Sequence, residues 1–488
     1  MRRLATAWLA LWCCGCAVGP DFVRPDPPEA DRYGSEAIPA QIESAAGDAV
    51  QRLELGREIA AQWWTLYRSP ELDRLLARAV AANPTLAAAR ATLAQARESV
   101  TAAQGGLYPE VTATAGASRQ RTAQRGGRTS IGSATSNLYS LGVGVSYALD
   151  VFGGVRRQIE QQEALADTQH YELAAAYLTL TGDAVTQAIA IASLSAQLAA
   201  GEQIVANDEE NLALVQRKFD AGKAARSDVL TAQTQLASDQ TLLPPLRQQL
   251  AAAHHALAVL AGELPAHYAP PDFELAEFAP QDEIPVTLPS EFVRQRPDIL
   301  AAEARLHAAS AAIGVATADL FPSLTLSGSL GTQALTTAAL FSSPASAWVI
   351  AADAAAPIFR GGTLRAQRRA SIAAYDASLA TYQQTVHAGF QQVADLLSAL
   401  AHDRESTDAQ RALFDSAQEA LRLQRIGYSA GKSDALRLVD AQRSFQQASL
   451  GVARARAQQL QDLALLLVAL GGGWSDAAIA GDPGGSQS

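Results

Sequence analysis

The residues of this chain that could carry out metal or acid–base chemistry are few and poorly arranged. His254 and His255 are adjacent, so on a helix they point to different faces, and no cysteine or carboxylate stands three or four residues away to complete a metal site. Surface histidines are the simpler interpretation. The Gly222-Lys223 and Gly431-Lys432 pairs lack the Gly-rich lead of a phosphate-binding loop, and we expect no nucleophilic serine elbow. The sequence predicts no catalytic centre, metal site or cofactor.

All three cysteines, Cys13, Cys14 and Cys16, lie in one N-terminal segment that begins with two arginines and an apolar stretch. This pattern predicts an export signal over residues 1–16 and no disulfide in the rest of the chain. Gly15-Cys16 resembles a bacterial lipobox, although Cys13 stands where Leu or Val is usual, so Cys16 is the candidate lipid attachment point. Ala17 follows Cys16, and a residue other than Asp at this position resembles a sorting signal for the outer membrane. The alternative is that all three cysteines belong to a discarded peptide.

Composition narrows the classes of partner. The 488 residues are 48% hydrophobic, which is ample for a core, and the net charge of −11 disfavours nucleic acid and anionic membrane surfaces. Beyond the signal, the sequence contains no uninterrupted apolar run of the about 20 residues that a spanning helix needs. We therefore expect an exported protein without a transmembrane helix.

The chain contains the same unit twice. Asn83-Pro84, an Ala-rich stretch and Leu107-Tyr108-Pro109 return 213 residues later as Arg296-Pro297, a similar stretch and Leu320-Phe321-Pro322. A second shared pattern, around Gly222-Lys223, recurs 209 residues later around Gly431-Lys432. Two copies of one unit indicate a pseudo-symmetric architecture in which neither copy closes alone.

The repeat sets the predicted divisions of the chain. These are a signal peptide (1–16), an extended N-terminal segment (17–69), a first repeat (70–262, with a strand pair at 111–150 and a long helix at 155–221), a connecting segment (263–289), a second repeat (290–470, with a strand pair at 324–356) and a C-terminal tail (471–488). The predicted fold class is mainly α with a small β part. We expect the first helix of the first repeat to be continuous from Pro70 to about Gly105.

Apolar residues at intervals of seven define the long helices. Tyr177, Ala184, Ile191, Leu198, Val205, Leu212 and Phe219 form this seam in the first copy, and the second copy keeps it with Thr407 as its one polar position. A period of seven favours left-handed supercoiling against neighbouring helices. At 1.5 Å per residue the first long helix would be roughly 100 Å long.

Each long helix should end at a Gly-Lys turn. Glycine takes the left-handed conformation that stops a helix, and lysine suits the carboxyl end. A return helix would follow from Ser227 to about Leu260 and from Ser433 to about Leu470, with each serine as N-cap. Pro244-Pro245 should kink the first return helix.

Four strands per chain cannot close a membrane barrel, and an open sheet edge in lipid would leave backbone groups unpaired. Several chains must therefore contribute. Three copies would give twelve strands and, below them, twelve helical segments.

Several motifs together resemble the TolC-type outer-membrane efflux proteins, in the lipoprotein (NodT/OprM-like) subgroup. They occur in the family's order: Trp63-Trp64, Leu288-Pro289-Ser290 with Arg296-Pro297-Asp298-Ile299, Phe321-Pro322-Ser323-Leu324, and Ala469-Leu470-Gly471-Gly472-Gly473-Trp474. The resemblance covers nearly the whole mature chain. It implies a homotrimer with a 12-stranded β-barrel in the outer membrane and a periplasmic α-barrel, anchored by lipid at Cys16. Segments 17–69, 263–289 and 471–488 would be equatorial.

The resemblance also implies functional residues at the helix turns. Gly222, Lys223, Gly431 and Lys432 would contact a periplasmic adaptor protein, although the glycines could equally be plain helix stops. Asp440, Tyr428 and Asp228 match positions of the periplasmic gate. Arg437 departs from the pattern, since an acidic residue is expected there. Because a shift of 209 relates Asp228 to Arg437, we hypothesise an ion pair between them, within or between protomers, that helps to hold the gate shut; solvated charges are the alternative.

The predicted function is a passive, gated outer-membrane channel of a tripartite efflux pump, exporting small toxic molecules. Its partners would be an adaptor, an inner-membrane pump, taken to be proton-driven, and outer-membrane lipid. The first alternative is the outer-membrane duct of a type I protein secretion system. A periplasmic adaptor protein is less favoured, since adaptors lack two strand pairs, and an enzyme is least favoured.

Overall fold

The structure, a computed structural model, describes residues 17–28, 30, 32–34, 41–42, 51–126, 130–278, 283–342, 345–476 and 479. The predicted signal segment, with Cys13, Cys14 and Cys16, lies outside these residues, as does most of the C-terminal tail. The protein is mainly helical with a small β part, which confirms the predicted fold class.

An N-terminal segment with two short strands precedes the first copy of the repeat. The elements up to residue 260 are β1 (Gln41–Ile42), β2 (Gln51–Leu55), a 3-10 turn (Trp63–Tyr67), α1 (Pro70–Ala82), α2 (Pro84–Gly105), β3 (Glu110–Gly126), β4 (Ser130–Leu149), α3 (Gly154–Asp220), α4 (Arg226–Gln240) and α5 (Leu243–Leu260).

A short strand then leads into the second copy. Its elements are β5 (Glu283–Val286), α6 (Pro289–Gln295), α7 (Pro297–Ala318), β6 (Ser323–Ala334), a 3-10 turn (Thr337–Phe341), β7 (Ser346–Ala355), α8 (Thr363–Ser429) and α9 (Ala435–Ala469).

The two copies correspond element by element. Helices α2 and α7 have 22 residues each and begin 213 residues apart, whereas α3 and α8 have 67 residues each and begin 209 apart. Strand pairing carries the same shifts, because Glu110 pairs with Ser146 in the first copy and Ser323 pairs with Ala355 in the second. The duplication of the sequence is therefore a duplication of structure.

Two predicted helices of the first repeat are divided, the second of them next to its predicted kink. The first ends at Ala82 and restarts at Pro84, because proline lacks the N–H that a helix interior needs but is well suited to a first helical position. The first return helix is divided between α4 and α5, just before Pro244-Pro245. The second return helix, α9, has no internal proline and runs unbroken for 35 residues.

Contacts within the chain divide it into two compact units. Unit 1 comprises residues 17–25, Thr92–Gln169 and Ala302–Tyr382, and unit 2 comprises Asp26–Ala91, His170–Ala301 and residues 383–479, each with the gaps given above. Helices α2, α3, α7 and α8 contribute residues to both.

Unit 1 contains a four-stranded antiparallel sheet in the order β3-β4-β6-β7. The copies meet at the β4–β6 pair, where Tyr147 lies opposite Leu326 and Leu149 opposite Leu324. The pairing of β3 with β4 extends from Glu110 opposite Ser146 to Gly126 opposite Ser130, in the region predicted as a strand pair. The outer strands of this sheet are β3 and β7.

Unit 2 contains the largest aromatic core and a small sheet. The side chains of Trp63 and Tyr67 are fully buried, and the Tyr67 hydroxyl donates a hydrogen bond to the Leu460 carbonyl at 2.7 Å. The small sheet pairs β1 with β2 antiparallel and β2 with β5 parallel. The N-terminal and connecting segments thus supply strands to one sheet.

Two helices, α3 and α7, each contain an apolar 18-residue window that could cross a membrane by length and composition. Half of the α3 window and 67% of the α7 window are buried within the protein. Core helices meet the same compositional criterion, so the expectation of no transmembrane helix stays a prediction.

Matching hydrogen bonds close each repeat. The Asn83 side-chain amide donates to the Leu260 carbonyl at 3.0 Å, and the Arg296 guanidinium donates to the Ala469 carbonyl at 2.8 Å. The donors are related by the shift of 213 and the acceptors by the shift of 209. The last carbonyls of a helix have no hydrogen-bond partner within that helix. In each repeat, the residue just before α2 or α7 donates a hydrogen bond to one of these carbonyls.

Replacing Arg296 with Ala should destabilise the protein. The guanidinium also donates to the side chains of Asp298 and Gln392, each at 2.7 Å. Because a hydrogen bond involving a charged group is worth about 1.5–3 kcal/mol, we expect the free energy of unfolding to fall by about 2–4 kcal/mol. Urea unfolding in detergent, followed by far-ultraviolet circular dichroism, measures this change. Arg369→Ala, at an exposed position of α8, is the control, and an equal loss in both variants would contradict the assigned role.

Candidate functional site

The two turns that end the long helices have the same backbone geometry. We define the first tip as residues 221–225, between α3 and α4, and the second tip as residues 430–434, between α8 and α9. Gly222 and Gly431 both have a φ of 70°, the left-handed conformation that favours glycine. The next residue closes each turn, because Lys223 N–H donates to the Lys218 carbonyl and Lys432 N–H to the Gly427 carbonyl, both at 2.8 Å. This is the Schellman pattern of helix termination.

The tip glycines and lysines are exposed. A Cβ added to Gly222 or Gly431 would meet no atom within 4 Å, so backbone conformation, and not space, requires glycine there. The side chains of Lys223 and Lys432 also lie at the surface. The four predicted adaptor-contact residues therefore lie at the two tips and are accessible there within one chain.

The return helices do not begin at the predicted serines. Helix α4 begins at Arg226, and the Asp228 carboxylate accepts a hydrogen bond from the Ala225 N–H at 3.0 Å. In α9 the N-cap is Asp434, whose carboxylate accepts from the Arg437 N–H at 2.8 Å. A carboxylate at a helix N-terminus also interacts favourably with the helix dipole, an advantage that a serine hydroxyl lacks. The predicted caps Ser227 and Ser433 were wrong.

Apolar side chains from both copies pack together behind the tips. The buried cluster contains Val215, Val229, Ala232, Leu421, Tyr428, Leu438 and Ala441. The ring of Tyr428 lies 3.9 Å from the Lys218 ammonium, which donates a hydrogen bond to the Tyr428 carbonyl at 3.1 Å. Burial, and then the charge of Asp228, raises the pKa of the Tyr428 hydroxyl. Within one chain, Tyr428 therefore connects the first tip to the second.

The charged gate candidates have local contacts in the single chain. The guanidinium of Arg437 lies 3.9 Å from the carboxylate of Asp434, and both side chains are largely exposed. Asp228 is held by its own helix terminus, as described above, and Asp440 is exposed. Each of these contacts joins residues near the same tip, and neither joins one tip to the other. The Asp228–Arg437 ion pair therefore stays a prediction for the assembled protein.

The expectation that no Gly-x-Ser-x-Gly pattern occurs was wrong at the level of sequence. Gly427 to Gly431 spell this pattern, with Ser429 at its centre. The segment lies at the end of α8 and not between a strand and a helix, and the Ser429 hydroxyl donates to the Ile426 carbonyl at 2.8 Å. The pattern here forms part of a helix terminus and lacks the context of a nucleophile elbow.

The adjacent histidines differ in environment. Burial lowers the pKa of His254, which favours its neutral form. Among the described residues, no group of three or more His, Cys, Asp or Glu side chains is placed to hold a metal ion.

Sequence reasoning missed the N-terminal strap, which we define as residues 17–25. Val18 N–H donates to the Phe152 carbonyl at 3.0 Å, and the ring of Phe22 stacks on that of His307 with centroids 4.4 Å apart. Gly19 lies directly against Gly314, where a Cβ would come within 2.5 Å of the Gly314 Cα. These contacts hold the strap against the rest of unit 1, whereas the sequence predicted only an extended segment there.

A buried arginine holds the strap in place. Arg157, with a side chain that is 5% exposed, donates to the Val18 carbonyl at 3.2 Å, to Asp21 at 2.6 Å and to Glu160 at 2.7 Å. An isolated buried guanidinium would be costly, so these acceptors explain its position. Glu160 and Gln161 lie one turn away on the same helix face, so no apolar pattern in the sequence singled Arg157 out.

The chain matches known proteins over most of its length. A family model described as "outer membrane efflux protein" matches residues 75–263 and 288–472, which contain both repeats. The pyoverdine export outer membrane protein OpmQ of Pseudomonas aeruginosa is 34% identical over 455 residues, covering 90% of this chain and 94% of OpmQ. The probable efflux pump outer membrane protein TtgC of Pseudomonas putida is 31% identical, covering 96% of this chain and 95% of TtgC.

A solved structure shares the fold. The outer-membrane channel OprN superposes with a TM-score of 0.83 at 30% identity, covering 94% of this chain and 100% of that one.

Proposed function

Because the chain belongs to the outer membrane efflux protein family, we propose that it forms the outer-membrane exit duct of a tripartite efflux pump. The observation that carries this proposal is that the family match spans both repeats, which include the sheet and both tips. Small toxic molecules would pass outward through the duct without a catalytic step. An inner-membrane pump would supply the energy, and a periplasmic adaptor would contact the tips.

The sheet supports assembly into a homotrimer. Its outer strands, β3 and β7, belong to different copies of the repeat, as do the paired inner strands β4 and β6. An exposed sheet edge is a template for pairing with another chain, and it is not tolerated in lipid. If β7 of one chain pairs with β3 of the next, three chains close a twelve-stranded barrel with no edge.

The repeat predicts the register of that pairing. In the β4–β6 pair, Val145 lies opposite Gly328 and Leu149 opposite Leu324. Adding 209 to a residue number in β4 gives its equivalent in or just after β7, and subtracting 213 from a number in β6 gives its equivalent in β3. Ala354 should therefore lie opposite Ala115 of the neighbouring protomer, and Ile358 opposite its Val111. Ile358 is 92% exposed and Val111 66% exposed in the single chain. The proposed pairing would cover both apolar side chains, just as Leu149 and Leu324 are paired within one chain.

The strap supports lipid anchoring at Cys16. Ala17 contacts Gly153, where a Cβ would lie 2.5 Å from the Ala17 Cα, and Gly153 marks the bend between β4 and α3. A lipid on the preceding residue would therefore emerge at the end of a barrel strand, beside the membrane. Palmitate labelling of the wild type, and its loss in Cys16→Ser, is the expected result. Equal labelling of both would exclude this attachment point.

Deleting the gene tests the proposed function. We expect the deletion strain to accumulate a fluorescent pump substrate and to become drug-sensitive, and wild-type protein to restore efflux. Restored protein secretion without restored efflux would favour the type I alternative. Normal efflux in the strain, with its other ducts also deleted, would contradict the proposal.

The same strain tests the tips. Asn tolerates the left-handed conformation, so Gly431→Asn should keep the turn while adding a side chain to the exposed surface. Loss of efflux with normal trimer formation is expected if the tip contacts an adaptor, and full activity would mark a plain helix stop.

For the gate, Arg437→Ala and Asp440→Ala should raise single-channel conductance. Unchanged conductance in both would rule out the ion-pair latch.

Cysteine cross-linking tests the trimer and its register together. Opposed Cα atoms in antiparallel strands lie about 4.5–5.5 Å apart, within disulfide range, whereas diagonal neighbours lie about 7–8 Å apart. Oxidised Ala115→Cys/Ala354→Cys, or the adjacent Thr114→Cys/Ala355→Cys, should give a reducible covalent trimer. The control Ala113→Cys/Ala354→Cys is two residues out of register and should not. Cross-linking of the control alone would contradict the register.

A further inference from the structure

Two buried aspartates meet between the long helix and the return helix of the first copy. Asp208 on α3 is 3% exposed and Asp239 on α4 is 4% exposed. Asp239 lies close enough to Asp208 to raise the pKa of the Asp208 carboxyl. Two ionised carboxylates cannot share such a site, so the contact requires a proton between them. We refer to Asp208 and Asp239 as the first carboxyl pair.

Glutamine side chains donate hydrogen bonds to the other carboxyl oxygens of this pair. Gln442 on α9 donates to Asp208 Oδ1 at 2.8 Å, Gln446 on α9 to Asp239 Oδ1 at 3.0 Å, and Gln235 to Asp239 Oδ2 at 2.8 Å. Asp208 Oδ2 is buried without any of these N–H donors. The proton that Asp239 shares would satisfy this oxygen. The first carboxyl pair thus connects α3, α4 and α9.

A second pair has the same design in the second copy. Asp403 on α8 lies beside Asp462 on α9, which is 7% exposed and raises the pKa of the Asp403 carboxyl. Gln458 donates to Asp462 Oδ2 at 3.0 Å, while Asp403 Oδ2 is again buried without an N–H donor. Each copy therefore places two neighbouring carboxyl groups between its long helix and its return helix.

The fold itself does not require these groups. The shift of 209 relates Asp208 and Asp239 to Ala417 and Ala448, which are 6% and 0% exposed in the other copy. It relates Asp403 and Asp462 to Leu194 and Ala253. Small or apolar side chains thus fill the equivalent positions. Buried polar pairs are often no more stabilising than apolar replacements, so a role in switching accounts for them better than stability does.

We propose that the two carboxyl pairs form a proton-operated lock on the helical hairpins of the duct, an inference that rests on the proposed function. With one proton in each pair, the long and return helices are held together. When the protons leave, repulsion between the carboxylates separates the helices, and the open state of the duct is favoured.

The direction of the pH dependence follows from the environment of each pair. Burial, and then Asp239, raises the pKa of the Asp208 carboxyl to about 8, with Arg425 acting in the opposite direction. Burial, and then Asp462, raises the pKa of Asp403 to about 7, opposed by His402. Because these pKa values are higher in the folded protein than the ordinary 3.8, the stabilisation is complete in acid and is lost as pH rises towards 8.

Conductance of the purified trimer in planar bilayers, between pH 6 and pH 9, tests the lock. We expect the ratio of open to closed channels to rise with pH, by about tenfold per pH unit for each proton released. The double variant Asp208→Asn/Asp403→Asn keeps a hydrogen-bond donor in each pair but leaves no second carboxyl with which a proton could be shared, so its opening should not change with pH. Asp415→Asn, at an exposed position of α8, is the control and should keep the wild-type response.

The outcomes separate this proposal from the proposed function. A wild-type channel that conducts equally at all pH values, or a double variant that keeps the pH response, would overturn the lock and leave the duct intact. A protein that forms no conducting channel would contradict the duct itself. Thermal unfolding gives a second measurement, because the wild type should lose stability between pH 6 and pH 9 and the double variant should not.

Discussion

The architecture depends on one hydrogen bond in each repeat, which joins the end of the return helix to the residue that precedes α2 or α7. Asn83 and Arg296 each donate to the carbonyl that ends a return helix, Leu260 or Ala469, so each repeat closes through a bond between its first and last helices. Carbonyls at a helix end need such partners when they are removed from water. Two sequences that differ widely thus keep the same closing contact at equivalent positions.

Closing each repeat in this way leaves the sheet unfinished. The two strand pairs join each other at β4 and β6 but leave β3 and β7 at the edges, so the chain carries a surface that fits another copy of itself. The same shifts of 213 and 209 that relate the copies also fix how that second copy would be placed. Pseudo-symmetry within the chain thereby prepares the symmetry of the proposed assembly.

The positions at which the copies differ are those where a duct can be controlled. The tip turns are alike, since both need glycine with a left-handed conformation. The charges around them are not, because Asp228 corresponds to Arg437. The carboxyl pairs also occupy different levels in the two hairpins, at positions where the other copy has alanine or leucine. Repetition supplies the scaffold, and departures from it supply the charged groups to which we assign the proposed gate and lock.

The sequence by itself determined the duplication, the order of helices and strands, the glycine turns and the family, because these depend on local periodicity and on motifs a few residues long. It missed the helix break at Pro84 and predicted only a kink where the helix is divided before Pro244. It also assigned N-caps to Ser227 and Ser433 where nearby carboxylates do the capping. Only the tertiary structure brought Arg157 to the strap and Asp208 to Asp239, since these partners lie 136 and 31 residues apart along the chain. Burial and shared protons arise from packing between helices, which no local pattern encodes.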